Sequence, residues 1–208
     1  MQCCLCEMSV TGRGLLKVTP DMAIVTMGVN TENISLKIAQ DSNSEVVSNV
    51  FQELVRQGIP FRDIQTIDYS VDQQYDNVDG KQVFRDYRVR NTFKVTIRDI
   101  KRVGEIIDSA VAKGVNSVSG ISFEISQPDK YYNIALKKAL EQAVGKAEAI
   151  ESTSRIVLNR TPVRITEEGT NYLPVYQPML FKSTATPIST GEINISANIK
   201  AVFKYSQY

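Results

Sequence analysis

The sequence predicts an α+β fold: a mixed, largely antiparallel sheet with a ferredoxin-like β-α-β-β-α-β core, an extra hairpin strand, a long third helix and two C-terminal strands. Three observations predict it. Several segments alternate apolar and polar residues with a period of two, as strands with one dry and one wet face do. Three others repeat apolar residues at helical spacing and carry helix-start or helix-stop residues at their ends. The two patterns follow one another as strand, helix, strand, strand, helix, strand, which is the split β-α-β unit.

The first strand is expected over 8–18 and the second over 22–31, with a hairpin signal at Thr19-Pro20-Asp21. A helix over 35–57 follows, because Val46, Val47, Val50, Phe51 and Leu54 form one stripe and Gly58 suits the left-handed stop. The third strand, 64–75, sets Ile67, Tyr69 and Val71 on one face. Asp79-Gly80 is a hairpin signal, and the fourth strand, 82–98, turns Phe93, Val95 and Ile97 away from Lys94, Thr96 and Arg98. Asp99 is a plausible cap for a helix over 100–113, with Val103, Ile107, Ala110 and Val111 inward and Gly114 at the stop. A strand over 117–126 aligns Ile121, Phe123 and Ile125. Pro128 suits the first turn of a helix over 128–152. Strands over 161–167 and 191–206 close the chain, the last aligning Ile193, Ile195, Ala197, Ile199, Ala201 and Phe203. Such clean alternation favours antiparallel pairing over a parallel sheet buried on both faces.

At 208 residues the chain is expected to hold a flexible tail over 1–7 and a single domain over 8–208, with a long aromatic and Pro-containing loop over 169–190. The 24 basic and 23 acidic residues are interspersed, so no basic face for nucleic acid is expected. No apolar window approaches the roughly 20 residues that span a bilayer. With no export signal before the first strand, the chain as written is expected in the cytoplasm; the alternative, periplasm or cell surface, holds if its N-terminus is truncated or processed. Cys3, Cys4 and Cys6 sit together in the tail, and there is no His, so neither a four-ligand zinc site nor a cofactor is expected.

The same lack of His removes Ser-His-Asp and Cys-His nucleophile systems. Gly12 and Gly14 of "TGRGLLK" precede strand-like residues, so they read as bulge or close-approach positions, not a phosphate cradle. Glu167, Glu168, Asp68, Asp72, Asp76 and Asp79 read as solvated faces and turns. Along the third helix, Ala135, Ala139, Ala143 and Ala147 make one smooth i+4 row. Its first reading is close docking on the protein's own sheet; its second is docking on another subunit. The stretch "GTNYLPVYQPMLFKSTATPISTG" carries Tyr172, Tyr176, Met179 and Phe181, residue types that anchor interfaces. With the alanine row, these four are the candidate interface residues of a homo-oligomer. The function that follows is non-enzymatic self-association. An enzyme with a carboxylate site is one alternative, and a monomeric peptide binder using an open strand edge is the other.

The order of "VTGRGLLKVTPDMAIVTMGV", "QGIPFRDIQTIDYSVDQQY", "RVRNTFKVTIRDIKRVGEIIDSAVAKGVNSVSGISFEIS", "ALKKALEQAVGKAEAI" and "STGEINISANIKAVF" resembles the SIMPL-domain family of bacterial proteins over nearly the whole chain. The resemblance implies an α+β protein, often exported to the periplasm or cell surface. Some members are similar to large ring-like oligomers, and some are linked to stress responses. It implies no catalytic residue set. Where relatives usually carry Leu-Gly after the third helix, this chain has Ser154-Arg155 followed by Asn159, which suits a left-handed bend.

Overall fold

The computed structural model describes residues 6–173 and 190–207. Their order is β1 (Cys6–Val18), β2 (Met22–Asn33), α1 (Leu36–Arg56), β3 (Ile64–Val78), β4 (Lys81–Ile97), α2 (Val103–Ala112), β5 (Ser117–Glu124), α3 (Pro128–Thr153), β6 (Ile156–Leu158), β7 (Arg164–Leu173) and β8 (Ile193–Gln207). The strands form two four-stranded sheets in which every pairing is antiparallel. The described residues fall into two units, one of 20–124 and one of 6–19, 125–173 and 190–207.

The 20–124 unit is the ferredoxin-like core, with strand order β3-β4-β2-β5. Its helices cover one face. Val47, Val50 and Leu54 of α1 and Val103, Ile106, Ile107 and Ala110 of α2 share a core with Val25, Met27, Phe93, Val95 and Ile97. On α2 the inward row therefore includes Ile106, while Val111, expected inward, is 48% exposed. The inward arc is centred on 103, 106, 107 and 110, and 111 falls off its flank. Gly58 and Gly114 end their helices at φ 89° and 112°, as their positions suggest. Asp99 does cap, but it caps a short 3-10 turn at 100–102 that leads into α2.

The other unit carries the elements expected to extend the first sheet, and they build a sheet of their own. β1 pairs with β8 from Cys6↔Tyr205 to Val18↔Ile193. No hairpin therefore forms at 19–21, because β2 pairs with β4 and β5. A local turn signal has lost to a long-range register that buries a whole alternating face. Strand β7 also runs further than expected, to Leu173, by bulging at Gly169 (φ 61°) between Glu167 and Thr170. At 159 the bend needs no left-handed residue: Asn159 Oδ1 accepts from Thr161 N–H at 3.1 Å.

α3 lies on this sheet at backbone distance. Ala135, Ala139, Ala143 and Ala147 are fully buried there. A Cβ built on Gly12 would meet the Ala139 carbonyl oxygen at 1.9 Å, and one on Gly14 the Ala135 carbonyl oxygen at 1.8 Å. The two glycines and the alanine row are therefore one device, a helix and a strand brought together with side chains removed from between them. Gly14→Ala should cost at least about 2 kcal/mol in urea unfolding, since backbone must move to admit the methyl group. Gly145→Ala, in the same helix but facing open space, should instead stabilise by about 0.5–1 kcal/mol.

Candidate assembly surface

β3 and β4 are the long strands of their sheet, and they outrun it. β2 pairs with β4 only from Tyr87 to Ile97, so the hairpin beyond Tyr87 has no third strand. Asp79 and Gly80 turn it at φ 51° and 77°, the left-handed pair of a tight two-residue hairpin. At its base one face is dry, with Phe93, Val95 and Ile97 fully buried. Further out Val89 is still fully buried, but β3 and the tip are exposed on the same face. Tyr69, Val71, Tyr75 and Phe84 lie on it, each at least 37% exposed. The expected dry face of this strand, Ile67, Tyr69 and Val71, is thus wet, and Ile67 falls at a bulge between Thr66 and Asp68.

The bare face is ordered by its own contacts. Tyr75 and Phe84 meet edge to face at 6.0 Å between ring centres, and Phe84 and Tyr87 at 5.1 Å. Tyr69 is tied to α1 through Gln40 Nε2, which donates to its hydroxyl at 3.5 Å. Ile34 and Ile38, at the start of α1, are also exposed. Charge braces the opposite face. Arg88 reaches Glu32 of β2 at 2.6 Å, while Arg85 contacts Asp86 at 3.0 Å, Asp76 at 3.4 Å and Glu32 at 3.5 Å. These carboxylates, Asp86 first, hold the Arg85 guanidinium above its ordinary pKa.

The strongest charged cluster elsewhere joins α1 to α2. Glu53 is buried, and its carboxylate accepts from Arg56 Nε and Nη2 at 2.8 and 2.6 Å, from Gln57 Nε2 at 2.8 Å and from Ser109 Oγ at 3.0 Å. Arg102 then holds Gln57 by its carbonyl and its side-chain oxygen, at 3.0 and 2.9 Å. Arg56 and then Gln57 lower the Glu53 pKa to about 2, against the upward push of burial. A carboxylate held so firmly ionised suits a clamp and not a general acid, which needs its pKa raised towards neutrality. Sequence reasoning missed this cluster. Its one local signal is Glu53 followed by Arg56 and Gln57 at i+3 and i+4.

Of the interface residues expected from sequence, the four alanines are enclosed in their own unit, where their first reading put them. Tyr172 lies in β7, in what was expected to be loop; Tyr176, Met179 and Phe181 lie outside the described residues, as do Cys3 and Cys4. Cys6 opens β1, so the strand starts inside the expected tail. Glu167 accepts from the Tyr132 hydroxyl of α3, Asp79 is a turn residue, and Asp68, Asp72 and Asp76 are exposed on β3. The described residues hold no group of three or more acidic, Cys or His side chains placed for a metal ion.

The family described as SIMPL, protein of unknown function (DUF541), matches residues 8–203. The chain belongs to this family. This SIMPL protein is similar to the 26 kDa periplasmic immunogenic protein of Brucella melitensis, at 27% identity over 95% of this chain and 84% of that protein. It is also similar to the uncharacterized protein YggE of Escherichia coli K12, at 27% identity over 91% of this chain and 77% of that one. A solved amidase of the hydantoinase/carbamoylase family from Burkholderia phymatum overlays with a TM-score of 0.32 at 9% identity, over 58% of this chain and 35% of that one, which carries no weight for either fold or activity. The expectation of a cytoplasmic location is overturned, because Brucella relatives matched over most of their length are named as periplasmic.

The Glu53 clamp has a pH signature. Its carboxylate titrates lower in the folded chain than at its ordinary 4.5, so its stabilisation is complete above that value and is lost as pH falls towards about 2. Glu53→Gln should therefore lower the thermal midpoint at pH 7, and the deficit should narrow over that interval. Thermal unfolding of both proteins across the acid range checks it; a deficit that stays constant with pH would refute the ionic account.

Proposed function

We propose that this SIMPL protein is a non-enzymatic, self-associating protein of the periplasm or cell envelope, and that the aromatic face of the β3–β4 hairpin is its contact surface. The observation that carries the reading is the exposed row of Tyr69 and Val71 on the edge strand β3, continued by Tyr75 and Phe84 on the two-stranded projection beyond Tyr87. Two strands without a covering layer are marginal in water, and clustered exposed aromatics are the usual anchors of protein contacts. The envelope location is supported by the name of the Brucella relatives. The non-enzymatic part is supported by the Glu53 carboxylate being committed to Arg56, Gln57 and Ser109.

Light scattering after size exclusion, at two protein concentrations, tests the proposal. The wild type should run as a multimer. The double variant Tyr75→Ser/Phe84→Ser should keep its circular dichroism spectrum and dissociate at least tenfold more readily. A wild type that is monomeric at both concentrations, or a double variant of unchanged mass, sinks the reading.

A further inference from the structure

The two sheets treat their outermost strands differently. β1 ends its sheet, and side chains of α3 meet two peptide groups on its far side: Gln142 Oε1 accepts from Arg13 N–H at 2.8 Å, and Lys146 Nζ donates to the Thr11 carbonyl at 2.7 Å. Those peptide groups are two residues apart, the spacing at which an edge strand turns its groups outward. β3 ends the other sheet, and among the described residues nothing pairs with its far side. It runs for 15 residues, long enough to template another strand.

Charge selects the kind of strand. On the face away from the helices it alternates in columns across the sheet. Glu32 of β2 stands beside Arg88 and Arg85 of β4, and these stand beside Asp72 and Asp76 of β3. Within β3 there are three aspartates, at 68, 72 and 76, all exposed, and no Lys or Arg. The column that continues the alternation is basic. On the opposite face Tyr69, Val71 and Tyr75 continue as an apolar row.

We infer that the β3 edge takes up an extended basic segment of a partner protein as a fifth, antiparallel strand. Lys or Arg at every fourth residue stands opposite Asp68, Asp72 and Asp76, and apolar residues at alternate positions extend the tyrosine row. At about 3.4 Å per residue the aspartates are roughly 14 Å apart, a spacing that a matching strand repeats without slippage. The inference goes beyond self-association, which uses the aromatic face and leaves this edge open.

The test is fluorescence anisotropy with two labelled nonapeptides, Lys-Val-Thr-Val-Lys-Val-Thr-Val-Lys and the same peptide with Glu for Lys. The Lys peptide should bind at least tenfold more tightly than the Glu peptide, and its binding should weaken as salt rises. The variant Asp68→Asn/Asp72→Asn/Asp76→Asn, on an exposed face, should keep its thermal midpoint and lose at least tenfold in affinity. Equal binding of the two peptides, no binding of either, or full affinity in a folded triple variant overturns the inference. If the peptides fail and the triple variant changes the mass seen by light scattering, the edge belongs to a second copy, and the basic-strand assignment is wrong. Light scattering of Tyr75→Ser/Phe84→Ser reads self-association separately, so either proposal can fail alone.

Discussion

Every peptide group in a strand must find a hydrogen-bond partner, and a sheet that does not close on itself leaves a row of them over at each end. This constraint organises both sheets. β4, flanked by β2 and β3, and β8, flanked by β1 and by β6 and β7, have both sides satisfied, and each underlies a core. At β1 two of the outward groups, Arg13 N–H and the Thr11 carbonyl, are met by the amide of Gln142 and the ammonium of Lys146, which the close seat of α3 brings within reach. That seat exists only because Gly12 and Gly14 carry no side chain and the facing helix positions are alanines. Small residues thus close an edge as well as fill a core.

The elements themselves were legible because each rests on a local rule. Gly58, Gly114, Asp79-Gly80 and Pro128 mark stops, turns and starts that the chain obeys. The β-α-β-β-α-β core was legible too, since its order is written in the alternation of periods two and 3.6. What failed was partnership at a distance. Nothing in "VTPDM" says that β1 will choose a strand near the other end of the chain over its neighbour, and the three-residue β6 is too short to show a period. The Gly-x-Gly and the alanine row were each read for small size, but that they face each other depends on the fold.

The hairpin face was harder to read for a related reason. Ile67, Tyr69 and Val71 alternate as a buried strand does, and Phe93, Val95 and Ile97 on the neighbouring strand do so too. Place in the sheet decides that the second row is covered and the first is not: β4 lies between β2 and β3, whereas β3 is the edge strand. Composition sets whether a strand has an apolar face; its place among its neighbours sets whether that face is dry. Glu53 shows the converse. A polar residue on a helix reads as solvated until Ser109 and Gln57 enclose it.

The partition of the chain bears on the order of its synthesis. The described strands and helices of the 20–124 unit come from one unbroken stretch, so all of its strand pairings are available once residue 124 has emerged. β1, made earlier, must wait: Cys6 pairs with Tyr205 and Val18 with Ile193. Until then the face that α3 will cover, with its two glycines and Val10, has no sheet around it. Contacts of such sequence separation form slowly, so the oldest strand in the chain is among the last to find its place.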